Sequence, residues 1–188
     1  MLLGALLLVS LAAVPVLGGD LRRLANIRFR YPGVAFVALA VQVVVIEVVP
    51  GAGQPVIASV HVLTYLLLMT FVALNVALPG AVVIAVGGLA NAVAITANGG
   101  VMPARPGALA TAGLQAPAGE FVNSGAVTQP VFPWLGDYFA VPSSLPLANV
   151  FSVGDVLLLI GCTVLVHRVC GSALAAGGSS RSPRCAAA

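Results

Sequence analysis

The chain has 188 residues, 60% of them hydrophobic and 7% charged, with eight Arg, no Lys and five acids. Soluble domains carry about a quarter of their residues as charges, so this composition excludes an ordinary water-soluble globule, a disordered chain and a nucleic-acid binder. The net charge of +3 is read as membrane topology rather than affinity for nucleic acid.

A hydrocarbon layer about 30 Å thick takes roughly 17–25 apolar residues as a helix, because the backbone must satisfy itself there. Five stretches meet that description, at about 2–17, 34–49, 56–78, 81–97 and 153–170. The expected fold class is therefore an all-α integral membrane protein of about five transmembrane helices, with a lipid bilayer as solvent. The first stretch has neither a charged leader nor an Ala-x-Ala cleavage site, and is read as a retained helix. Arg22, Arg23, Arg28 and Arg30 follow it, and Arg168, Arg181 and Arg184 follow the body of the fifth stretch. Only Arg105 falls on the other side. The positive-inside rule then sets the amino terminus outside and the carboxyl terminus in the cytoplasm.

The turns between these stretches carry their own signals. Pro50 to Pro55 forms an outer turn, and Pro79-Gly80 a minimal inner one that makes stretches three and four an antiparallel hairpin. In the fourth stretch Ala81 and Ala85, Gly88 and Ala92, and Ala90 and Ala94 are each four apart. This spacing lets helices approach closely, within the chain or against a second copy of it. Residues 98–151 form one long Pro/Gly-rich extracytoplasmic loop, a length associated with function. Residues 1–171 thus read as a single membrane domain, and the Gly/Ser/Ala-rich 172–188 as a disordered cytoplasmic tail. Three Cys without a CxxC spacing read as small apolar residues.

Polar groups at membrane depth are costly and each asks for a partner. Gln42 and Glu47 fall in the second stretch, His61 and Tyr65 on one face of the third, and Asn91 in the fourth. Glu47 and His61 have similar depth, which would suit a proton relay or a ligand anchor; the alternative is a satisfied histidine at the headgroup boundary. His61 and His167 differ in depth by about nine residues, or ~13 Å, so one haem iron cannot bridge them. Two His without a thiolate cluster leave no metal and no cofactor expected.

Three compact features stand out in the outer loop. Asn98-Gly99-Gly100-Val101-Met102-Pro103 ends the fourth stretch, where glycine can terminate a helix and proline limits its resumption. Trp134-Leu135-Gly136-Asp137 and the aromatics that follow place interface-seeking rings around one acid. Phe151-Ser152-Val153-Gly154-Asp155 opens the fifth helix as a capping arrangement, with Ser152 accepting backbone N–H groups and Asp155 complementing the helix dipole. Asn98, Asp137 and Asp155 are expected to meet at the outer mouth of the fourth and fifth helices.

Together with Gly18-Gly19-Asp20-Leu21-Arg22-Arg23-Leu24-Ala25, these three motifs resemble an uncharacterised family of small bacterial multi-pass membrane proteins. Gln42, His61, Tyr65 and Asn91 fall where that family tends to carry polar residues. The resemblance implies a bacterial cytoplasmic-membrane protein and brings no catalytic residues with it.

Walker, HExxH, GxSxG and paired-carboxylate motifs are all missing. The first functional expectation is accordingly a non-enzymatic accessory or sensing component that binds a membrane-protein partner or a small ligand through its outer loop. Its candidate contacts are Asn91, Asn98, Gly99, Gly100, Met102, Trp134, Asp137, Ser152 and Asp155. A small permease or proton-coupled carrier using Gln42, Glu47, His61 and Asn91 is the second. A membrane enzyme acting on a lipid or envelope precursor through Asp137 or Asp155 is the third.

Overall fold

The computed structural model describes residues 2–44, 54–114 and 124–176. Its long helices are α1 (Leu2–Val16), α2 (Pro32–Val43), α3 (Gln54–Leu74), α4 (Ala81–Ala97) and α6 (Val153–Cys170). Between α4 and α6 stands a small mixed cap: β1 (Met102–Pro103), α5 (Pro106–Ala112), β2 (Ser124–Gly125), β3 (Asp137–Val141) and β4 (Asn149–Ser152). One-turn pieces complete the chain, with 3-10 helices at Leu21–Asn26 and Pro133–Leu135 and the short α7 at Ala173–Ala176.

This architecture corrects the expected all-α, five-span fold in two respects. Among the described residues, α6 alone is long and apolar enough to cross a membrane. With 15 and 12 residues, α1 and α2 reach about 22 and 18 Å at 1.5 Å per residue, well short of a hydrocarbon layer of about 30 Å, and α4, with 17, is also one of the shorter apolar helices. The described apolar part of α3 is likewise a shorter helix, Ala58–Leu74. Local chemistry sets these ends. Pro32 occupies the first turn of α2, where its fixed φ and missing N–H are tolerated. Beyond α3, Asn75 turns its side chain onto the backbone, donating to Phe71 O at 2.8 Å and Arg30 O at 3.0 Å and accepting Arg30 N–H at 2.7 Å.

The second correction concerns the loop, which holds strands as well as turns. β1 and β2 pair in parallel, Met102 opposite Ser124; β3 and β4 pair antiparallel, Asp137 opposite Ser152, with a bulge between Asp137 and Phe139. A bridge between Ala104 and Asp137 joins the two ladders. Ala104, Ala108, Ala112 and Val150 form the cap's own apolar cluster, with α5 laid against the second ladder. Proline-rich composition concealed these strands because each ladder is only two strands wide and two to five residues long.

The α4–α6 seam positions the cap. At Gly87, an added Cβ would lie 2.6 Å from Gly154 O, and at Gly161 one would lie 2.6 Å from Ile84 Cγ1. Missing side chains thus let the two backbones touch. The small residues of α4 are buried within the chain, Gly87 against α6, Gly88 against Met69 of α3, and Ala94 with Ile95 and Met102.

At the opposite end of α6, Val14 of α1 meets Val166 and Cys170. The connection after α1 is tied there by Asp20 N–H to Cys170 O at 3.0 Å, and Ala173 N–H returns to Leu17 O at 2.9 Å. Part of the expected tail is therefore helical and docked, while residues 177–188 lie outside the described ones.

Large apolar side chains cover the outside of the helices. Val16 is 85% exposed and Phe36 71%, and Leu8, Val37, Leu63, Leu66, Val82 and Leu89 all exceed half exposure.

Candidate functional site

The N-terminus of α6 is built as the spacing predicts, a reciprocal capping box. Ser152 Oγ accepts Asp155 N–H at 3.0 Å, and Asp155 Oδ2 accepts Ser152 N–H at 3.0 Å. Asn91 of α4 closes this box into a ring. Its Nδ2 donates to Asp155 Oδ1 at 2.8 Å, and its Oδ1 accepts the Ser152 hydroxyl at 2.9 Å. Asn91 is 1% exposed and Ser152 fully buried, so each bond replaces hydration that burial has removed. One amide thereby locks α4 to the first turn of α6.

The β3–β4 ladder brings Asp137 to the same place, since its register sets Asp137 opposite Ser152. The Asp137 carboxylate accepts a hydrogen bond from the Ser124 hydroxyl, and its carbonyl accepts Arg105 N–H at 3.0 Å. Gly136 approaches the Pro103 carbonyl so closely that a side chain there would collide with it. Burial pushes the Asp137 carboxyl up to about 6; the Ser124 hydrogen bond works against that rise, and the charge of Asp155 adds to it.

From α3, His61 and Tyr65 complete the walls, their rings edge to face with centroids 5.3 Å apart. The resulting chamber measures about 150 Å³ and is lined by His61, Tyr65, Asn91, Ile95, Met102, Ser124, Asp137 and Asp155. Two carboxylates, an amide, a phenol, a hydroxyl and an imidazole therefore converge on one space. Its charge balance favours a cation or a group rich in hydrogen-bond donors. Among the described residues no group of three or more His, Cys, Asp or Glu is arranged to hold a metal ion.

Several residues singled out in the sequence lie elsewhere. Asn98 turns away from the chamber, donating to Ala94 O and Val131 O and accepting Val131 N–H at 2.9 Å, so it fastens the loop rather than meeting the acids. Gly100, with φ of +92°, packs on Ala58, and with Gly99 it lines a separate groove beside α3. Trp134 is 62% exposed and stands against Phe132 at 5.8 Å, in an outer groove with Arg105 and Tyr138. Gln42 belongs to α2, and Glu47 lies outside the described residues. Ser124 is a polar lining residue of the chamber that the sequence does not announce. It sits in an Ala/Gly-rich stretch without a local signal, and only its pairing with Met102 brings it to Asp137.

A family model described as "Family of unknown function (DUF5317)" matches residues 26–167. The match takes in the Asn98, Trp134 and Phe151 motifs and begins just after Ala25. It covers more than half of the chain, and the chain belongs to this family. No curated protein and no solved structure matches it.

Proposed function

We propose that this member of a family of unknown function is a non-catalytic membrane component that receives a small cationic group in the chamber beneath its outer cap. The observation that carries the reading is the convergence of Asp137, Asp155 and Asn91, from three separate elements, on one cavity with His61 and Tyr65. Asp155 already serves the capping box with one oxygen and Asn91 with the other. That arrangement suits a fixed electrostatic wall better than a general base.

Residence in a bacterial cytoplasmic membrane is part of the same proposal, with α6 as the helix sized to cross it. Two observations support this. Apolar side chains cover the outer helix faces, a surface that water disfavours and lipid accepts. The exposed Arg22, Arg23, Arg28, Arg30 and Arg168 lie on the segment after α1 and on the last turns of α6, away from the cap. The basic end would face the cytoplasm and the cap the exterior.

The test is thermal unfolding of the purified full chain in a non-ionic detergent. Butylamine is expected to raise the midpoint, butyrate is not, and Asn91→Ala should abolish the rise. Equal shifts with both compounds, or none with either, would refute the chamber as a cation site. Protease access to the Arg22–Arg30 stretch from outside intact cells would overturn the orientation.

A further inference from the structure

The chamber is not isolated. His61 and Tyr65 also line a second, larger cavity of about 580 Å³ between α3, α4 and α6, and its walls beyond those rings include Leu68, Met69, Val72, Leu158, Cys162 and Leu165. One polar and one apolar space therefore adjoin at these two residues. At its far end the apolar cavity meets Asn75, whose amide is committed to Arg30 and Phe71.

We infer that the ligand is an amphiphile, a primary amine bearing a single hydrocarbon chain, whose ammonium lies by Asp137 and Asp155 and whose chain fills the apolar cavity. This rests on the reading of the chamber as a cation site and adds the chemical class of what enters it. The volumes support it. About 150 Å³ admits only a small head, whereas about 580 Å³ lies in the usual range of ligand pockets, roughly 300–1,000 Å³. The walls of the larger space are leucine, methionine, valine and cysteine, which favour hydrocarbon over water. Charge selects the head. Neither cavity has Arg or Lys among its described lining residues, so a phosphate or carboxylate head would face two acids without a counter-charge.

Photo-crosslinking of the full chain in zwitterionic lipid nanodiscs tests it, with a long-chain alkylamine carrying a diazirine near the chain end. Saturable label is expected on the α3 and α6 peptides that carry Met69, Leu158 and Leu165. Dodecylamine should compete at least ~10-fold better than butylamine, and Asp137→Asn should cut labelling about 10-fold. Cys162→Phe should displace the label while leaving protection by butylamine intact. A wild-type pH series supplies the same readout without a variant. Labelling should fall several-fold from about pH 8 to about pH 5 as Asp137 gains a proton, and protonation of His61, the imidazole facing it, acts in the same direction; Asp155 and Tyr65 are the other titratable walls.

If butylamine and dodecylamine compete equally and the label falls only on lipid-facing positions, the tail placement is wrong and the cation site stands. Cavity labelling that ignores Asp137→Asn and pH, and that dodecanol or dodecanoate competes equally well, overturns the cation site and the inference together. Absence of saturable labelling overturns both.

Discussion

Two buried histidines stand at the two ends of the helical layer, and their surroundings differ in an instructive way. His167, on the last turn of α6, is 3% exposed and shares a hydrogen bond of 2.7 Å with the buried Ser172 hydroxyl. Ser172 N–H in turn reaches His167 O at 3.1 Å, so the pair closes the end of its own helix. His61 is 6% exposed, a similar burial, yet it lines two cavities and faces acids from two other elements. Burial of a polar residue is thus no mark of function by itself. At the His167 end the polar groups close the end of a helix; at the His61 end hydrogen-bonded polar groups line two cavities.

The comparison can be broken most forcefully at the seam that holds the chamber. Gly154→Ala would drive a methyl group into Asn91 and to within 2.7 Å of Gly87 O. It is expected to cost about 3 kcal/mol, read as a lowered thermal midpoint with loss of amine binding. A stability unchanged within error would mean that the α4–α6 contact is looser than described.

Asp137 gives the next effect, through pH. Its carboxyl rises from 3.8 to about 6 on folding, so the folded state binds the proton more tightly than the unfolded one. Stability is therefore greatest below about pH 4 and falls as pH rises through about 6, by about 2–3 kcal/mol in total from this group. Thermal midpoints across that window should decline in the wild type and flatten in Asp137→Asn. A parallel decline in both would assign the slope to another group.

The two ends separate more finely by paired substitutions. Asn91→Ala strands Asp155 and Ser152 without their partner and should cost about 2 kcal/mol together with amine binding. Ser172→Ala should cost about 1 kcal/mol at the other end and leave binding untouched. Equal losses of binding would erase the distinction between a chamber and a packed junction. Smallest of all, Trp134→Ala on the exposed rim of the cap should change stability by less than about 0.5 kcal/mol, measured by the same thermal midpoint.

Much of the site could be read without coordinates, for reasons that are local. The Ser152/Asp155 box follows from two residues three apart at a helix start, and it is present as expected. The four-residue spacing of His61 and Tyr65 puts them on one face, and their rings do meet. Asn98 shows the limit. Its place at the outer end of the fourth stretch suggested the mouth of the site, but a side chain at a helix end bonds whatever backbone the returning chain presents, here Val131.

Composition and residue spacing alone determined where apolar helices lie, how α6 begins and which polar residues share a helix face, because helical periodicity and capping act within a few positions. Tertiary structure decided that the proline-rich stretch pairs into strands, and that Asp137, Ser124 and Asn91 share one chamber. Those outcomes depend on pairing across 13 to 64 residues. Register between distant strands and the touching backbones of α4 and α6 are properties of the assembled chain, and no local segment encodes them.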